Sequence, residues 1–214
     1  MKPDKASMLL YAVTDRMWAG RNTLASQVEE ALRSGVTFLQ LREKDIAFDD
    51  FVKLGKEIKS ITDKYKIPYI INDDVEVALA CNADGVHVGQ HDMRAGDVRS
   101  KIGPDKILGV SVQTVEQAVL AEKNGADYLG VGAVFSTSTK ADADSVSFDV
   151  LKEICNAAAI PVVAIGGISS RNIHMLHGSG IDGVAVVSAI FAQKDIAAAA
   201  RELRVLAEEL VRPA

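Results

Sequence analysis

Two rhythms of apolar and polar positions run through this chain. Short apolar runs stop abruptly at polar or glycine residues, and longer stretches between them carry apolar residues three and four apart. The runs read as buried strands and the stretches as amphipathic helices. Met8 to Val13 is the first run, ending in Thr14-Asp15, and a loop with Trp18 and Gly20 follows. Thr23 to Arg33 carries Leu24, Val28, Ala31 and Leu32 at helical spacing, and Gly35 stops it. Val36 to Gln40 is a second strand. Phe48 to Tyr65 is a long helix with Phe48, Phe51, Val52, Leu54, Ile58 and Ile61 inward. Pro68 opens a third strand, Tyr69 to Ile71, which stops at Asn72-Asp73-Asp74. Further strands are expected over Asp84–Val88, Ile107–Val110, Asp127–Val131, Pro161–Ile165 and Asp182–Val187. Helices are expected over Val75–Cys81, Met93–Ile102, Val115–Asn124, Phe148–Ala158, Arg171–His177 and Ile196–Val211. Strict strand–helix alternation implies a parallel sheet with helical crossovers.

An internal echo favours a closed ring. Ala83-Asp84-Gly85, Ala126-Asp127-Tyr128 and Ile181-Asp182-Gly183 each place an Asp at the start of a strand, and they fall at the fourth, sixth and eighth strands. The expected fold is α/β, a single (β/α)8 TIM barrel over residues 1–214. Such barrels typically run to about 250 residues but can be ~200. A doubly wound open sheet would carry a glycine-rich loop after the first strand, where this chain has Val13-Thr14-Asp15-Arg16-Met17. Gly132 to Ser147 breaks the rhythm: it is rich in Ser, Thr and Asp, without apolar period, and follows a strand. A barrel would place this loop on its catalytic face.

Composition narrows the class. The chain is 48% hydrophobic and 25% charged, with formal net charge −5 and pI near 5.4. That balance argues against nucleic-acid or acidic-membrane partners, so any anion site must be a local cluster of cations. Cys81 and Cys155 show neither zinc spacing nor a disulfide framework, which suits a reducing compartment. No secretory signal and no apolar run near the roughly 20 residues of a membrane span is visible, and a cytoplasmic protein is expected.

Candidate chemistry gathers where strands end. Gln40-Leu41-Arg42-Glu43-Lys44 closes the second strand, and alternation puts Gln40, Arg42 and Lys44 on one face. An amide, a guanidinium and an ammonium converging there suit an anion with several oxygens. Alternatively, the two cations pair with neighbouring loop carboxylates. Asp73 and Asp92 follow adjacent strands, roughly 4.8 Å apart, and could share a magnesium ion. Their other reading is helix N-caps, for which Asp74 is the better candidate. His87 and His91 lack a third ligand for zinc. Gly166-Gly167 and Val187-Ser188-Ala189 end the seventh and eighth strands, where barrels often bind phosphate through backbone amides; a ligand-free tight turn is the alternative. Ser111 and the Thr137–Lys140 segment lie between the two anion sites.

Taken together, Tyr11-Ala12-Val13-Thr14-Asp15, Gln40–Lys44, Ile71-Asn72-Asp73, Gly85–Asp92, Gly109-Val110-Ser111, Gly130–Lys140, Ala164–Ile168 and Val187–Ile190 resemble the thiamine-phosphate synthase family, in that family's order. The resemblance implies a (β/α)8 barrel that condenses 4-amino-2-methyl-5-diphosphomethylpyrimidine with 4-methyl-5-(2-phosphoethyl)thiazole, giving thiamine phosphate and diphosphate. It assigns Gln40, Leu41, Arg42, Glu43, Lys44, Asn72, Ser111 and Lys140 to the pyrimidine diphosphate, with Ser111, Lys140 and Arg42 catalytic. Thr137, Ser138, Thr139, Gly167, Val187 and Ser188 would hold the thiazole phosphate, and Asp73 and Asp92 magnesium. Partners are then small molecules, and a homo-oligomer is allowed. Two departures stand out: Gln113 where the family often has His, and Ala133 where it often has Pro. A thiazole tautomerase relative and a non-catalytic phosphate-binding regulator are the alternatives. Asp73 and Asp92 present, with His absent at 113, favour the synthase.

Overall fold

The computed structural model describes residues 2–18, 23–90, 92–136 and 145–212. Eight short strands join in sequence order into a closed barrel. They are β1 (Leu10–Val13), β2 (Phe38–Leu41), β3 (Tyr69–Asn72), β4 (Gly85–Val88), β5 (Ile107–Val112), β6 (Tyr128–Val131), β7 (Val162–Ile165) and β8 (Gly183–Val186). Every neighbouring pair is parallel, including β8 against β1. Helices α1 (Leu24–Arg33), α2 (Phe48–Tyr65), α3 (Val75–Ala80), α4 (Ala95–Ile102), α5 (Val115–Lys123) and α6 (Phe148–Ala157) each follow a strand. The expected (β/α)8 barrel is therefore the fold.

Strict alternation fails at the end of the chain. The helix expected over Arg171–His177 is only a 3-10 turn, Ile173–Leu176. It turns just two apolar side chains inward, and Gly178 and Gly180 follow at φ 78° and 91°, conformations that no helix continues through. Two helices then follow β8: a short α7 (Ser188–Phe191) and α8 (Ile196–Leu210).

Side-chain alternation divides the core in two. Leu10, Leu39, Leu41, Ile71, Val86, Leu108, Leu129, Ala164 and Val184 face outward and pack beneath the helices. Tyr11, Phe38, Ile70, Ile107, Tyr128, Val163 and Ala185 fill the barrel itself. Three of these are rings, with Tyr11 4.7 Å from Phe38 and Tyr128 5.6 Å from Phe38, centroid to centroid. Such pairs contribute about 0.5–1.5 kcal/mol each beyond their burial. Gly109 makes room for them: a Cβ there would lie 2.2 Å from the Tyr128 ring.

The echoed aspartates fasten the barrel floor. Asp84 precedes β4 and accepts from the Tyr69 amide that opens β3, at 2.9 Å. Asp127 does the same for Leu108 on β5 and Asp182 for Val162 on β7, each also at 2.9 Å. Thr37 completes the set, its hydroxyl accepting from Leu10 N–H of β1 at 2.9 Å. Each clip joins an odd strand to the even strand after it. Cations hold the carboxylates in place: Lys59 on Asp84 at 3.2 Å, Lys5 on Asp182 at 2.8 Å, and Arg99 on Asp127 at 2.6 Å.

Candidate active site

At the opposite, C-terminal end of the strands, where barrels take ligands, interior side chains turn polar. Gln40 ends the inner face of β2, Asn72 that of β3, His87 that of β4 and Ser111 that of β5. Register sets Asn72 beside His87, and His87 beside Gly109. A continuous chain of hydrogen bonds links them. Asn72 donates to Asp73 Oδ2 at 2.5 Å, and Gln40 Nε2 donates to Asn72 Oδ1 at 2.8 Å. Tyr11 donates its hydroxyl proton to Gln40 Oε1 at 3.0 Å and lies 2.8 Å from the Tyr128 hydroxyl. The Tyr128 hydroxyl meets His87 Nδ1 at 2.7 Å, and His87 Nε2 meets Ser111 Oγ at 2.8 Å. Burial pushes both Tyr11 and Tyr128 hydroxyls far above the usual phenol range, so both stay protonated. Beside this chain lies a small cavity of about 20 Å³, lined by Tyr11, Gln40, His87, Ser111, Gly130 and Ile165 among others.

Three of the expected ligands, Gln40, Asn72 and Ser111, are thus brought together. Tyr11, His87 and Tyr128, which connect them, were missed. The signal was available: from Gln40, strand parity and barrel register place all three on the inner face.

The expectation that Gln40, Arg42 and Lys44 share a strand face is corrected. β2 ends at Leu41, and Arg42 to Lys44 run along the rim. Thr14 turns the chain there by accepting the Arg42 amide on its hydroxyl at 3.0 Å. The Arg42 guanidinium lies 3.6 Å from Asp15, and Lys44 is exposed. Leu41 packs outward under the helices, which leaves only its backbone for a ligand. Glu43 turns back into the protein, where its carboxylate is 1% exposed and bonds Arg16 Nε at 2.8 Å. Burial raises its carboxyl above the usual range, and Arg16 only partly offsets this.

Of the three aspartates expected as metal ligands or caps, only Asp74 caps a helix, accepting the Val77 amide at 2.9 Å. Asp73 is exposed at the rim in the left-handed region, φ 63°, and Asp92 accepts the Gly89 amide at 2.7 Å. Neither caps a helix, and both are hard oxygen donors of the kind magnesium takes. Among the described residues, no group of three or more His, Cys, Asp or Glu is placed to hold a metal unaided.

Across the mouth, Gly166 and Gly167 have φ of 102° and 65°, and a Cβ on Gly167 would lie 2.5 Å from the Ser136 carbonyl. The start of the long loop is stitched there, with Phe135 N–H on Gly166 O at 3.1 Å. Val187 caps α7 and Ser188 opens it; first-turn amides of a helix lack intrahelical acceptors. Thr137, Ser138, Thr139 and Lys140 lie outside the described residues, as does His91. Gln113 has its backbone amide on the Gln117 side chain at 2.8 Å, a local turn at the start of α5.

Comparison with known proteins agrees with this geometry. The family model for thiamine monophosphate synthase matches residues 10–190. The chain is 53% identical over 194 residues to a thiamine-phosphate synthase of Clostridium tetani, covering 91% of this chain and 93% of that one. It is 53% identical over 204 residues to the Clostridium beijerinckii protein of the same name, covering 95% and 97%. The solved structure of a thiamine phosphate pyrophosphorylase from Pyrococcus furiosus superposes with TM-score 0.90 at 38% identity, covering 97% of this chain and 99% of that one. A barrel matched from strand one past strand eight, by relatives that it covers almost completely, leaves one conclusion: the chain belongs to the thiamine monophosphate synthase family.

Proposed function

We propose that this chain is a transferase of thiamine biosynthesis, joining 4-amino-2-methyl-5-diphosphomethylpyrimidine to 4-methyl-5-(2-phosphoethyl)thiazole and releasing diphosphate. The observation that carries the reading is the single hydrogen-bonded chain that links Gln40, Asn72 and Ser111 at the strand ends, with Gln40 and Ser111 lining one cavity, in a chain whose relatives match it almost end to end. The bond between the pyrimidine methylene and the diphosphate oxygen breaks, and its electron pair leaves with the diphosphate. The resulting pyrimidine methyl cation is captured by the lone pair of the thiazole nitrogen.

In this reading the pyrimidine enters the cavity and its diphosphate lies at the rim. Arg42 and Lys44 would bind the diphosphate, and Lys140 would meet the charge that grows as it departs, a role that lowers the barrier more than it tightens ground-state binding. Asn72 and Ser111 orient the ring and its methylene. Asp73 and Asp92 would hold magnesium, whose contribution when bound is to neutralise phosphate charge. Thr137, Ser138, Thr139, Gly167, Val187 and Ser188 would hold the thiazole phosphate, largely through backbone amides. The enzyme supplies positioning and charge, with no covalent intermediate on the protein. No helix among the described residues is long and apolar enough to cross a membrane, and we place the reaction in the cytoplasm.

Incubating the protein with both substrates and magnesium tests the assignment. Stoichiometric thiamine phosphate and diphosphate are expected. Thiazole isomer exchange without diphosphate release would establish the tautomerase reading instead.

A further inference from the structure

The hydrogen-bonded chain beside the cavity has a direction, and its direction can be deduced from one end. At the rim Asn72 turns its NH2 toward Asp73, with Nδ2 donating to Oδ2. The Asn72 carbonyl oxygen then faces Gln40, which must present its own NH2, as it does. That leaves Gln40 Oε1 toward Tyr11, whose single proton is committed to it. Tyr11 can therefore only accept from Tyr128, and Tyr128, its proton spent, can only accept from His87 Nδ1–H. A neutral imidazole with Nδ1 protonated has a bare Nε2, which takes the Ser111 hydroxyl proton. Each of these six bonds is between 2.5 and 3.0 Å.

An amide alone is an ambiguous reader, because a flip exchanges its donor and acceptor ends. Here a flip of Gln40 would set its oxygen against the Asn72 oxygen and its NH2 against the Tyr11 proton. We propose that this one-way chain makes Tyr11, Tyr128 and His87 positioning residues that set which heterocycle edge the cavity accepts: an amino group beside a bare ring nitrogen, and not an oxo group beside a ring N–H. Gln40 keeps one lone pair and one N–H, in fixed order, and Ser111 keeps only lone pairs. A 4-aminopyrimidine edge complements that order, and its 4-oxo counterpart reverses it. The inference rests on the pyrimidine reading above and adds what enforces it: three residues with no part in the anion sites. The buried phenols support it, since neither ionises to break the relay.

Two measurements test it. The side-chain nitrogen resonances of ¹⁵N-histidine-labelled protein, with His87 assigned through His87→Asn, report the tautomer directly and need no ligand. Nδ1–H with a bare Nε2 is expected; an Nε2–H tautomer or an imidazolium overturns the direction. Calorimetry then compares the 4-amino pyrimidine diphosphate with its 4-oxo analogue, without thiazole. The protein should prefer the amino form roughly a hundredfold or more, the scale of mispairing buried polar groups. Tyr11→Phe removes one of the two contacts that forbid a flipped Gln40 and leaves Tyr128 without its acceptor. It should reduce that preference by roughly tenfold and mix the His87 tautomers. Tyr69→Phe is the control: its hydroxyl is buried on the outer side of the barrel and has no hydrogen-bond partner, and both readouts should stay put. An unmutated protein indifferent to amino or oxo, or a preference that survives Tyr11→Phe intact, overturns the proposal. If neither pyrimidine binds, the substrate reading is what has failed, and the nitrogen resonances still judge the chain's direction.

Discussion

Single residues at the rim carry the sharpest expectations. Asp73→Ala should abolish magnesium-dependent turnover, whereas Asp74→Ala should mainly destabilise α3, by about 1 kcal/mol for a lost N-cap; steady-state rates and urea midpoints separate the two. Equal, mild rate losses would mean that Asp73 holds no ion. Glu43 makes a different prediction. Its folded-state carboxyl is raised above the unfolded value, so the folded form binds the extra proton between those two values. Stability is then lost as pH rises through that window. Glu43→Gln should therefore raise the urea midpoint at pH 7 to 8, and the gain should shrink as pH falls through the carboxylate range. A midpoint that drops at pH 8 would show that the Arg16 pairing outweighs the burial. The sequence made Glu43 look like one more polar rim residue, since nothing in Arg-Glu-Lys says which side chain turns inward.

At the scale of elements, glycines mark where backbones or rings crowd. Gly109→Ala would drive a methyl into the Tyr128 ring, and an overpacking cost of about 1–3 kcal/mol is expected in urea unfolding. An unchanged midpoint would show that the inner rings are loosely held. Gly167→Val strains a positive φ and meets the Ser136 carbonyl. It should weaken thiazole phosphate binding in calorimetry while sparing the pyrimidine diphosphate, with Arg42→Ala and Lys44→Ala doing the reverse. The strands were legible because an all-buried parallel strand is a compact apolar run with an abrupt polar stop. The seventh helix was not: Ile173 and Leu176 have helical spacing, yet two inward side chains do not make a helix without more turns to pack. The site was half legible for a similar reason. Residues at strand ends announce themselves as polar stops, whereas Tyr11, His87 and Tyr128 lie inside apolar runs and look like core. Only the closed register brings them into line.

At the scale of the whole molecule, chemistry and stability occupy opposite ends of the barrel. Chelation of magnesium should stop turnover and leave the thermal midpoint nearly unchanged without substrate, because Asp73 and Asp92 stand outside the core. Asp127→Ala should do the opposite. It strips a 2%-exposed carboxylate from Arg99 and should cost about 3–5 kcal/mol, with the pyrimidine diphosphate affinity of the folded fraction retained. The clips on the floor also set where the cylinder comes apart. Thr37, Asp84, Asp127 and Asp182 bind strands one to two, three to four, five to six and seven to eight, and among the described residues no side chain accepts a strand-opening amide across the other four seams. At its floor the molecule is thus a ring of four double-stranded staves, each clipped internally and joined to the next by the backbone ladder and, nearer the mouth, by Gln40 on Asn72 and His87 on Ser111. Native-state hydrogen exchange should find amides within a stave opening together, and the seams giving way first.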